Sequence, residues 1–209
     1  MVEKPAGMRA AVCGFKFQYN TERAVSRSRG TVLAQFIVKP LKTEIAFQTP
    51  WFDLMAKTMK EGEAPYYSLR IVDYVGILAI TPDQRILAVR QYRPAVEQYT
   101  VEFPAGMVDA GENPLETARR ELLEETGYEA DKIELLGDML TDTGRLANRI
   151  WACVATGARK VEGYQPEEDL ETLIYTLPEL VKATTKEFNH SLHVAILVLA
   201  AAKGLIQIS

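Results

Sequence analysis

The sequence predicts an α/β fold, a sandwich that follows a small β-rich N-terminal arm. Three observations predict it: a strand-rich segment over residues 71–103, one acidic helix over residues 113–126, and further strands that end in an apolar helix over residues 189–203. A chain of 209 residues that is 47% hydrophobic can build the core of one such domain. We therefore expect an arm over residues 1–65 and one main domain over residues 66–209.

Short strands dominate the arm and most of the main domain. In the arm, strands are predicted over residues 31–38 and 43–48, and a short helix over residues 51–60. The main domain opens with strand-like segments on both sides of a turn at residues 81–84. Its predicted elements are strands over residues 71–80, 85–93, 98–103, 133–140, 149–155 and 170–176, a short helix over residues 178–183, and the closing helix.

The acidic helix has recognisable ends and one crowded charged face. Asn113 is a favoured N-cap, Pro114 suits the first helical position, and Gly127 suits the left-handed residue that ends a helix. Like charges on neighbouring helical positions cost roughly 0.2–0.5 kcal/mol per pair. A divalent cation reverses that cost, because Mg²⁺ and Mn²⁺ require hard oxygen ligands. The crowded carboxylates are those of Glu121, Glu124 and Glu125.

The helix and the loop before it resemble the Nudix box, Gly-x5-Glu-x7-Arg-Glu-U-x-Glu-Glu-x-Gly-U, where U is an apolar residue. An aromatic residue, Tyr128, at the last apolar position is the one soft departure. The resemblance implies an α/β/α sandwich with a mixed sheet, and a Mg²⁺- or Mn²⁺-dependent hydrolase that cleaves nucleoside diphosphates linked to another group. The matching positions are Gly106, Glu112, Arg120, Glu121, Leu122, Glu124, Glu125 and Gly127.

The same resemblance assigns roles to the box residues. It implies that Glu121, Glu124 and Glu125 bind the metal from the helix, together with the backbone carbonyl of Ala105 before the box glycine. Glu112 is expected to pair with Arg120 and to hold the loop against the helix. The alternative interpretation of the acidic helix is a solvated surface face.

The flanks of the box narrow the resemblance to the ADP-ribose and nucleotide-sugar pyrophosphatase branch. Residues 89–94 (Val-Arg-Gln-Tyr-Arg-Pro) and 101–106 (Val-Glu-Phe-Pro-Ala-Gly) carry it. In that branch the arginine of the Gln-Tyr-Arg run contacts substrate phosphate, which implies the same of Arg93, whose planar fork of donors matches phosphate oxygens. A surface salt bridge is the alternative for Arg93. Glu102 is expected in the same cleft, and Arg70 is a candidate for a second phosphate contact.

Two loops after the box are expected to complete the site. The branch keeps a catalytic glutamate in a mobile loop, and residues 163–170 are the matching place, with Glu168 as the first choice for water activation and Glu167 as the second. A merely solvated acidic loop is the alternative. Residues 141–148 stand where ADP-ribose pyrophosphatases commonly carry a proline. That proline is absent, and Arg145 is a candidate phosphate or sugar contact.

Aromatic residues in the arm have two possible roles. Trp51 is a candidate for stacking on a nucleobase, while an interface or core position is the alternative for it and the better interpretation for Tyr66 and Tyr67. In relatives of this branch the N-terminal segment often exchanges between the subunits of a homodimer. The resemblance therefore implies a homodimer here.

Composition excludes several other classes of partner. A net charge of −4 gives no electrostatic basis for nucleic-acid binding, and no segment reaches the ~18–20 apolar residues of a membrane span. Two cysteines, Cys13 and Cys153, are too few for a disulfide framework, so a location in the reducing cytoplasm is expected. The alternative to that location is an organelle, with residues 1–30 as the targeting segment. His190 and His193 are expected to be exposed or capping residues.

These observations predict a cytoplasmic, Mg²⁺-dependent hydrolase that splits the diphosphate of a small nucleoside diphosphate sugar. ADP-ribose is the first candidate, with AMP and ribose 5-phosphate as products. Another sugar nucleotide, such as GDP-mannose or ADP-glucose, is the first alternative. A non-catalytic sensor of a nucleotide sugar is the second, and the complete set of box carboxylates argues against it.

Overall fold

The computed structural model describes residues 38–184 and 186–208, and its first unit is a three-stranded antiparallel sheet. Every residue of the first strand is exposed, including Ile45 and Phe47. The middle strand pairs with a neighbour on each side. The three strands, in both chain and spatial order, are β1 (Lys42–Gln48), β2 (Asp53–Thr58) and β3 (Tyr66–Arg70).

The predictions for the arm have mixed outcomes. The strand predicted over residues 43–48 is confirmed. Of the strand predicted over residues 31–38, only residue 38 belongs to the described residues. The helix over residues 51–60 is wrong, because β2 occupies most of that segment. Its Leu54 and Met55 are good helix formers, but pairing on both sides outweighs that weak local preference.

The main domain is built on one mixed sheet of seven strands. The sheet follows the spatial order β12-β5-β4-β10-β9, with β6 added to β5 and β7 added to β4; β10 runs parallel to β4, and the other pairs are antiparallel. A short two-stranded ribbon joins β8 and β11. The strands are β4 (Tyr74–Ile80), β5 (Ile86–Arg93), β6 (Gln98–Glu102), β7 (Ala105–Met107), β8 (Tyr128–Glu129), β9 (Lys132–Leu140), β10 (Arg149–Thr156), β11 (Arg159–Lys160) and β12 (Glu171–Tyr175).

In the part of the chain that the structure describes, three helices accompany this sheet, and the predicted helices of the main domain are confirmed. α1 begins where the Asn113 side chain accepts a hydrogen bond from the Leu115 amide, and it ends at Gly127, whose φ of 71° is left-handed. Thr176 and Glu179 form a capping box at the start of the second helix. The helices are α1 (Pro114–Thr126), α2 (Leu177–Ala183) and α3 (Ser191–Ala202).

α1 and α3 cover opposite faces of the sheet. Strand β4 shows this directly, since its alternate side chains enter two separate clusters of buried residues. Ile77 packs in the cluster that contains Leu122 of α1, whereas Leu78 packs in the cluster that contains Ile196 of α3. The α/β/α sandwich with a mixed sheet is therefore confirmed. Cys153 is fully buried beneath α1, as a core residue.

The boundary predicted at residue 65 stays a prediction. The three-stranded sheet continues to Arg70 through β3, and β3 also contacts the main domain. The Leu69 amide donates to the Arg145 carbonyl at 2.7 Å, and the Ala147 amide donates to the Leu69 carbonyl at 3.3 Å. These bonds attach the small sheet to the loop over residues 141–148. No helix within the described ranges is long and apolar enough to cross a membrane.

Candidate active site

One arginine pairs with two carboxylates of α1 and with one carboxylate of the preceding loop. Arg120 Nη1 donates to Glu121 Oε1 and to Glu124 Oε2, both at 2.8 Å, and its Nη2 donates to Glu112 Oε2 at 3.4 Å. The predicted pair of Arg120 and Glu112 is confirmed. One guanidinium thus ties the loop before α1 to the charged face of the helix, and it offsets the repulsion between the glutamates.

Glu125 is the most buried carboxylate of the face. Only 7% of the residue is exposed, and its Oε2 accepts a hydrogen bond of 2.8 Å from the Ala105 amide. Burial raises the pKa of Glu125 to about 8; the Ala105 amide opposes this effect, and the nearby charge of Glu121 adds to it. Burial also raises the pKa of Glu121, against the influence of Arg120. Burial therefore disfavours the charged form of both carboxylates.

Gly106 makes room for Glu121 at the rim of the site. A Cβ atom on Gly106 would lie 2.0 Å from the Glu121 carboxyl carbon, which is far inside van der Waals contact. The box glycine and the box glutamate are thus in direct contact across β7 and α1. The glycine allows this close approach, because a side chain at position 106 would displace the Glu121 carboxylate from its present place.

The donor set fits a divalent cation. All three helix carboxylates offer hard oxygens, two of them have raised pKa values, and a cation would favour their charged forms. Within the described residues no three His, Cys, Asp or Glu side chains converge on one point as they now stand. The reason is visible in the contacts, because Arg120 holds Glu121 and Glu124 while the Ala105 amide holds Glu125. The metal roles of these residues and of the Ala105 carbonyl stay predictions.

Arg93 and Glu102 form a two-pronged ion pair on neighbouring strands. Arg93 Nε and Nη2 donate to the two carboxylate oxygens of Glu102 at 3.0 and 2.7 Å, and Thr100 Oγ1 donates to Glu102 at 2.6 Å. Glu102 is only 1% exposed. Burial alone would raise its pKa, but the bonds from Arg93 and Thr100 outweigh burial and hold the pKa at about 2. Glu102 is therefore ionised and fixes the orientation of Arg93.

A cavity of about 630 Å³ brings the two charged groups together. The Arg93–Glu102 pair lines it together with Glu121 and Gly106. The loop over residues 141–148 contributes Thr141, Leu146 and Asn148 to another part of the wall. The cavity thus brings Arg93 and Glu102 into one cleft with Gly106 and Glu121 of the box, and their roles toward substrate stay predictions.

Three of the predicted substrate contacts do not line this cavity. Arg70 instead pairs with Asp53 of the small sheet, with Nη2 and Oδ2 2.6 Å apart. The Arg145 guanidinium lies 4.8 Å from the centre of the Tyr66 ring. Trp51 is 72% exposed in the connection between β1 and β2. Their proposed contacts with substrate stay predictions.

The loop over residues 163–170 packs against the end of α1. The Glu167 amide donates to the Glu124 carbonyl at 3.1 Å. The negative charge of Glu167 also contributes to the raised pKa values of Glu121 and Glu125. Glu168 is exposed, and no such contact ties it to the described acidic face. The contacts favour Glu167, although the choice between the two glutamates stays a prediction.

Two histidines line the same cavity, and the expectation that both are exposed or capping is wrong for His193. His193 is 3% exposed, and its Nδ1 accepts a hydrogen bond of 3.0 Å from the Phe103 amide. His190 stands at the N-cap of α3, but its side chain makes no capping bond. The sequence carries no signal for this arrangement, because the partner of His193 lies 90 residues earlier in the chain.

Comparisons with known proteins agree with this geometry. Residues 71–193 match the family described as NUDIX domain. A Bacillus methanolicus protein named methanol dehydrogenase activator is 35% identical over 153 residues, which cover 70% of this chain and 83% of that protein. An ADP-ribose pyrophosphatase of Bacillus subtilis is 44% identical over 109 residues, which cover 51% of this chain and 59% of that protein.

A solved structure supports the fold. The crystal structure of an ADP compounds hydrolase superposes with a TM-score of 0.66, at 23% sequence identity, over 83% of this chain and 100% of that one. At that identity the likeness concerns the fold alone. The family match, by contrast, covers more than half of the chain and contains every residue of the acidic face. The chain therefore belongs to the Nudix family and is a hydrolase.

Proposed function

We propose that the chain is a Mg²⁺-dependent hydrolase of nucleoside diphosphate sugars and that ADP-ribose is its preferred substrate. The observation that carries the proposal is the shared cavity, in which the Arg93–Glu102 pair and Glu121 line the same volume. The 44% identity to an ADP-ribose pyrophosphatase supports the choice of substrate. The products would be AMP and ribose 5-phosphate.

Each part of the diphosphate site has a physical basis. Glu102 holds Arg93 through two hydrogen bonds, and the Arg93 side chain is 42% exposed. N–H groups of the guanidinium therefore remain free to donate to phosphate oxygens. Glu121, Glu124 and Glu125, with the Ala105 carbonyl, would hold the metal ions. Bound there, Mg²⁺ would neutralise the diphosphate and the charge that develops during hydrolysis.

Water activation would fall to the loop over residues 163–170. A general base must come within hydrogen-bond reach of the attacking water, and a loop that closes over the site can arrange this. Glu167 directly follows Pro166, which lies close to Gly127 at the end of α1. The Pro166 ring is 3.7 Å from the place where a Cβ atom on Gly127 would stand. This anchoring supports Glu167 as the base, with Glu168 as the alternative.

Hydrolysis of a panel of nucleotide sugars tests the proposal. ADP-ribose, ADP-glucose and GDP-mannose are incubated with the protein in Mg²⁺, and nucleoside monophosphate is measured by chromatography, with EDTA as the control. Preference for ADP-ribose supports the proposal and means that the loop over residues 141–148 replaces the missing proline. Preference for another sugar would make that loop the specificity element. Binding of ADP-ribose without any turnover would favour the sensor.

A regulatory role toward another enzyme is the second candidate. One observation favours it. The sequence match to the relative named methanol dehydrogenase activator covers 70% of this chain, whereas the match to the ADP-ribose pyrophosphatase covers 51%. The assay of a methanol dehydrogenase, with and without this protein, tests the role. If a variant that cannot hydrolyse nucleotide sugars activated the dehydrogenase equally well, regulation and hydrolysis would be separate functions.

The arm would support a homodimer in the cytoplasm. β1 is exposed along its whole length, and Phe47 and Trp51 are 61% and 72% exposed. Exposed large apolar side chains in one small sheet indicate a covered surface in the working protein. A second copy of the chain is the partner that the family resemblance implies.

A further inference from the structure

His190 carries a buried nitrogen that has no hydrogen-bond partner among the residues that the structure describes. This atom, Nδ1, is hidden from solvent. Its ring lies against His193, with the ring centres 4.4 Å apart, and both rings line the cavity of the candidate active site. Buried polar atoms without a partner are rare in folded proteins, and a bound ligand is one of the few things that satisfies them.

The position of His190 identifies the part of the substrate within its reach. α1 and α3 cover opposite faces of the sheet, so Glu121 and His190 approach the cavity from opposite sides. The metal ions would lie on the α1 side, where the carboxylates stand, and the phosphates would lie between these carboxylates and Arg93. A group that the diphosphate carries would extend toward the α3 side, where His190 and the apolar Leu192 lie.

The chemistry of the ring identifies the kind of group. Burial lowers the pKa of His190, and the nearby charges of Glu102 and Arg93 act in opposite directions. A neutral imidazole has one donor and one acceptor, as a hydroxyl group does. Phosphate oxygens only accept hydrogen bonds and are better matched by the guanidinium of Arg93. The His190 side chain also makes no capping hydrogen bond at the start of α3, so capping of the helix does not depend on it.

We propose that His190 is a specificity-determining residue that hydrogen-bonds a hydroxyl of the sugar attached to the nucleoside diphosphate. This inference rests on the proposed function and assigns one residue to the sugar end of that site. Loss of such a bond weakens binding without touching the reacting phosphorus. Its effect is therefore expected in KM and not in kcat.

Kinetics of His190→Ala provide the test. We expect KM for ADP-ribose to rise roughly tenfold, the effect of one lost hydrogen bond, while kcat changes less than about twofold. The inhibition constant of the methyl ester of ADP, which has the adenosine and both phosphates but no second sugar, should change less than about twofold. His190→Asn, which keeps a donor and an acceptor, should recover part of the lost affinity.

Controls separate this contact from a structural effect. Ser191→Ala alters the exposed neighbour at the helix start and should leave KM and kcat unchanged. An unchanged KM in His190→Ala would overturn the proposal, and so would an equal loss of affinity for ADP-ribose and the methyl ester. A fall in kcat with unchanged KM would also overturn it. A melting temperature lowered in both His190→Ala and His190→Asn would overturn it by assigning a structural role to the ring.

A binding measurement distinguishes failure of this inference from failure of the proposed function. The chain contains two histidines, so their ring resonances can be assigned by NMR with the variants His190→Asn and His193→Asn. Wild-type protein that does not hydrolyse ADP-ribose would disprove the proposed function. A His190 signal that stays in place while ADP-ribose saturates the protein would disprove the contact, whether or not turnover occurs.

Discussion

The backbone amide of Phe103 donates a hydrogen bond of 3.0 Å to Nδ1 of His193, so α3 is bonded directly to the segment that leads into the acidic site. Phe103 is fully buried, and the two rings stack with their centres 5.9 Å apart. Because Nδ1 accepts, the proton of the neutral ring is on Nε2. The residues on either side of Phe103 are Glu102, which orients Arg93, and Pro104, which precedes Ala105.

The burial of His193 makes stability depend on pH. Burial lowers the pKa of His193 from 6.5 to about 3, and the neighbouring His190 adds to the effect. Between these values the unfolded chain binds a proton that the folded chain does not, so stability is full above pH 6.5 and falls as the pH decreases. We expect this residue to remove about 2 kcal/mol between pH 7 and pH 5, measured by urea unfolding.

Two variants check the origin of that dependence. In His193→Asn the side-chain oxygen can occupy the place of Nδ1 and accept from Phe103, but it does not titrate, so this part of the pH dependence should disappear. His193→Leu loses the acceptor as well and should be less stable at pH 7, by about 1–3 kcal/mol. A pH dependence as steep in His193→Asn as in the wild type would contradict the assignment.

Gly106→Ala should damage function more than folding. The added Cβ would lie 2.0 Å from the Glu121 carboxyl carbon, and a flexible glutamate can move away from it at small cost to stability. Gly106 is absent from the described glycines with positive φ, so alanine suits its backbone. We expect a melting temperature within a few degrees of the wild type and turnover at least roughly tenfold lower, with a raised Mg²⁺ requirement. Normal activity would show that the position of Glu121 is unimportant.

The loop glutamates can be ranked by a matched pair of variants. Glu167→Gln is expected to lower kcat by about 10²-fold or more, the usual effect of losing a general base, with KM little changed. Glu168→Gln is the control, because it changes the same charge one residue further along the loop. If Glu168→Gln were the damaging change, the first choice made from the sequence would be right, and the contact of Glu167 with α1 would only anchor the loop.

Dimerisation can be tested on the exposed face of the small sheet. Phe47→Ser combined with Trp51→Ser removes two large exposed apolar side chains without opening the core. We expect the dimer dissociation constant to rise at least about tenfold, since aromatic residues dominate the energetics of interfaces. Sedimentation measures it. Leu205→Ser, at a 45% exposed residue outside the small sheet, is the control. A dimer unaffected by the double change would have to use another surface.

Local patterns predicted the α1 region well, because its signals are local. Asn113 and Gly127 define the ends of α1 through bonds within a few residues, and the spacing of Glu121 and Glu125 follows from the helix itself. The segment over residues 51–60 was mispredicted for the opposite reason. Its strand depends on pairing with both β1 and β3, which no local pattern reports.

The same contrast explains what was missed in the site. Arg93 and Glu102 are nine residues apart on paired strands, so a sequence motif could place them in one cleft. His193 meets Phe103 only because α3 packs across the sheet from α1, and that contact joins residues 90 positions apart. The histidines therefore emerged only from the three-dimensional arrangement.

Glu125→Gln should separate catalysis from stability. Burial raises the pKa of Glu125 to about 8, so without metal the folded protein holds a proton that the unfolded chain, with an ordinary value of 4.5, releases at neutral pH. Stability then declines as the pH rises from 4.5 to 8, and glutamine removes that decline. At pH 8 in EDTA we expect the variant to exceed wild-type stability by at least about 1.4 kcal/mol, the equivalent of one pKa unit.

The activity of the same variant should move the other way. Loss of a charged ligand is expected to lower turnover of ADP-ribose at least about 10²-fold, while Glu116→Gln, an exposed position on the same helix, should change neither property. If Glu125 is a metal ligand, Mg²⁺ would bind its charged form, so adding Mg²⁺ should stabilise the wild type more than the variant. Equal stabilisation of both proteins by Mg²⁺, or full activity in Glu125→Gln, would show that this carboxylate does not bind the metal.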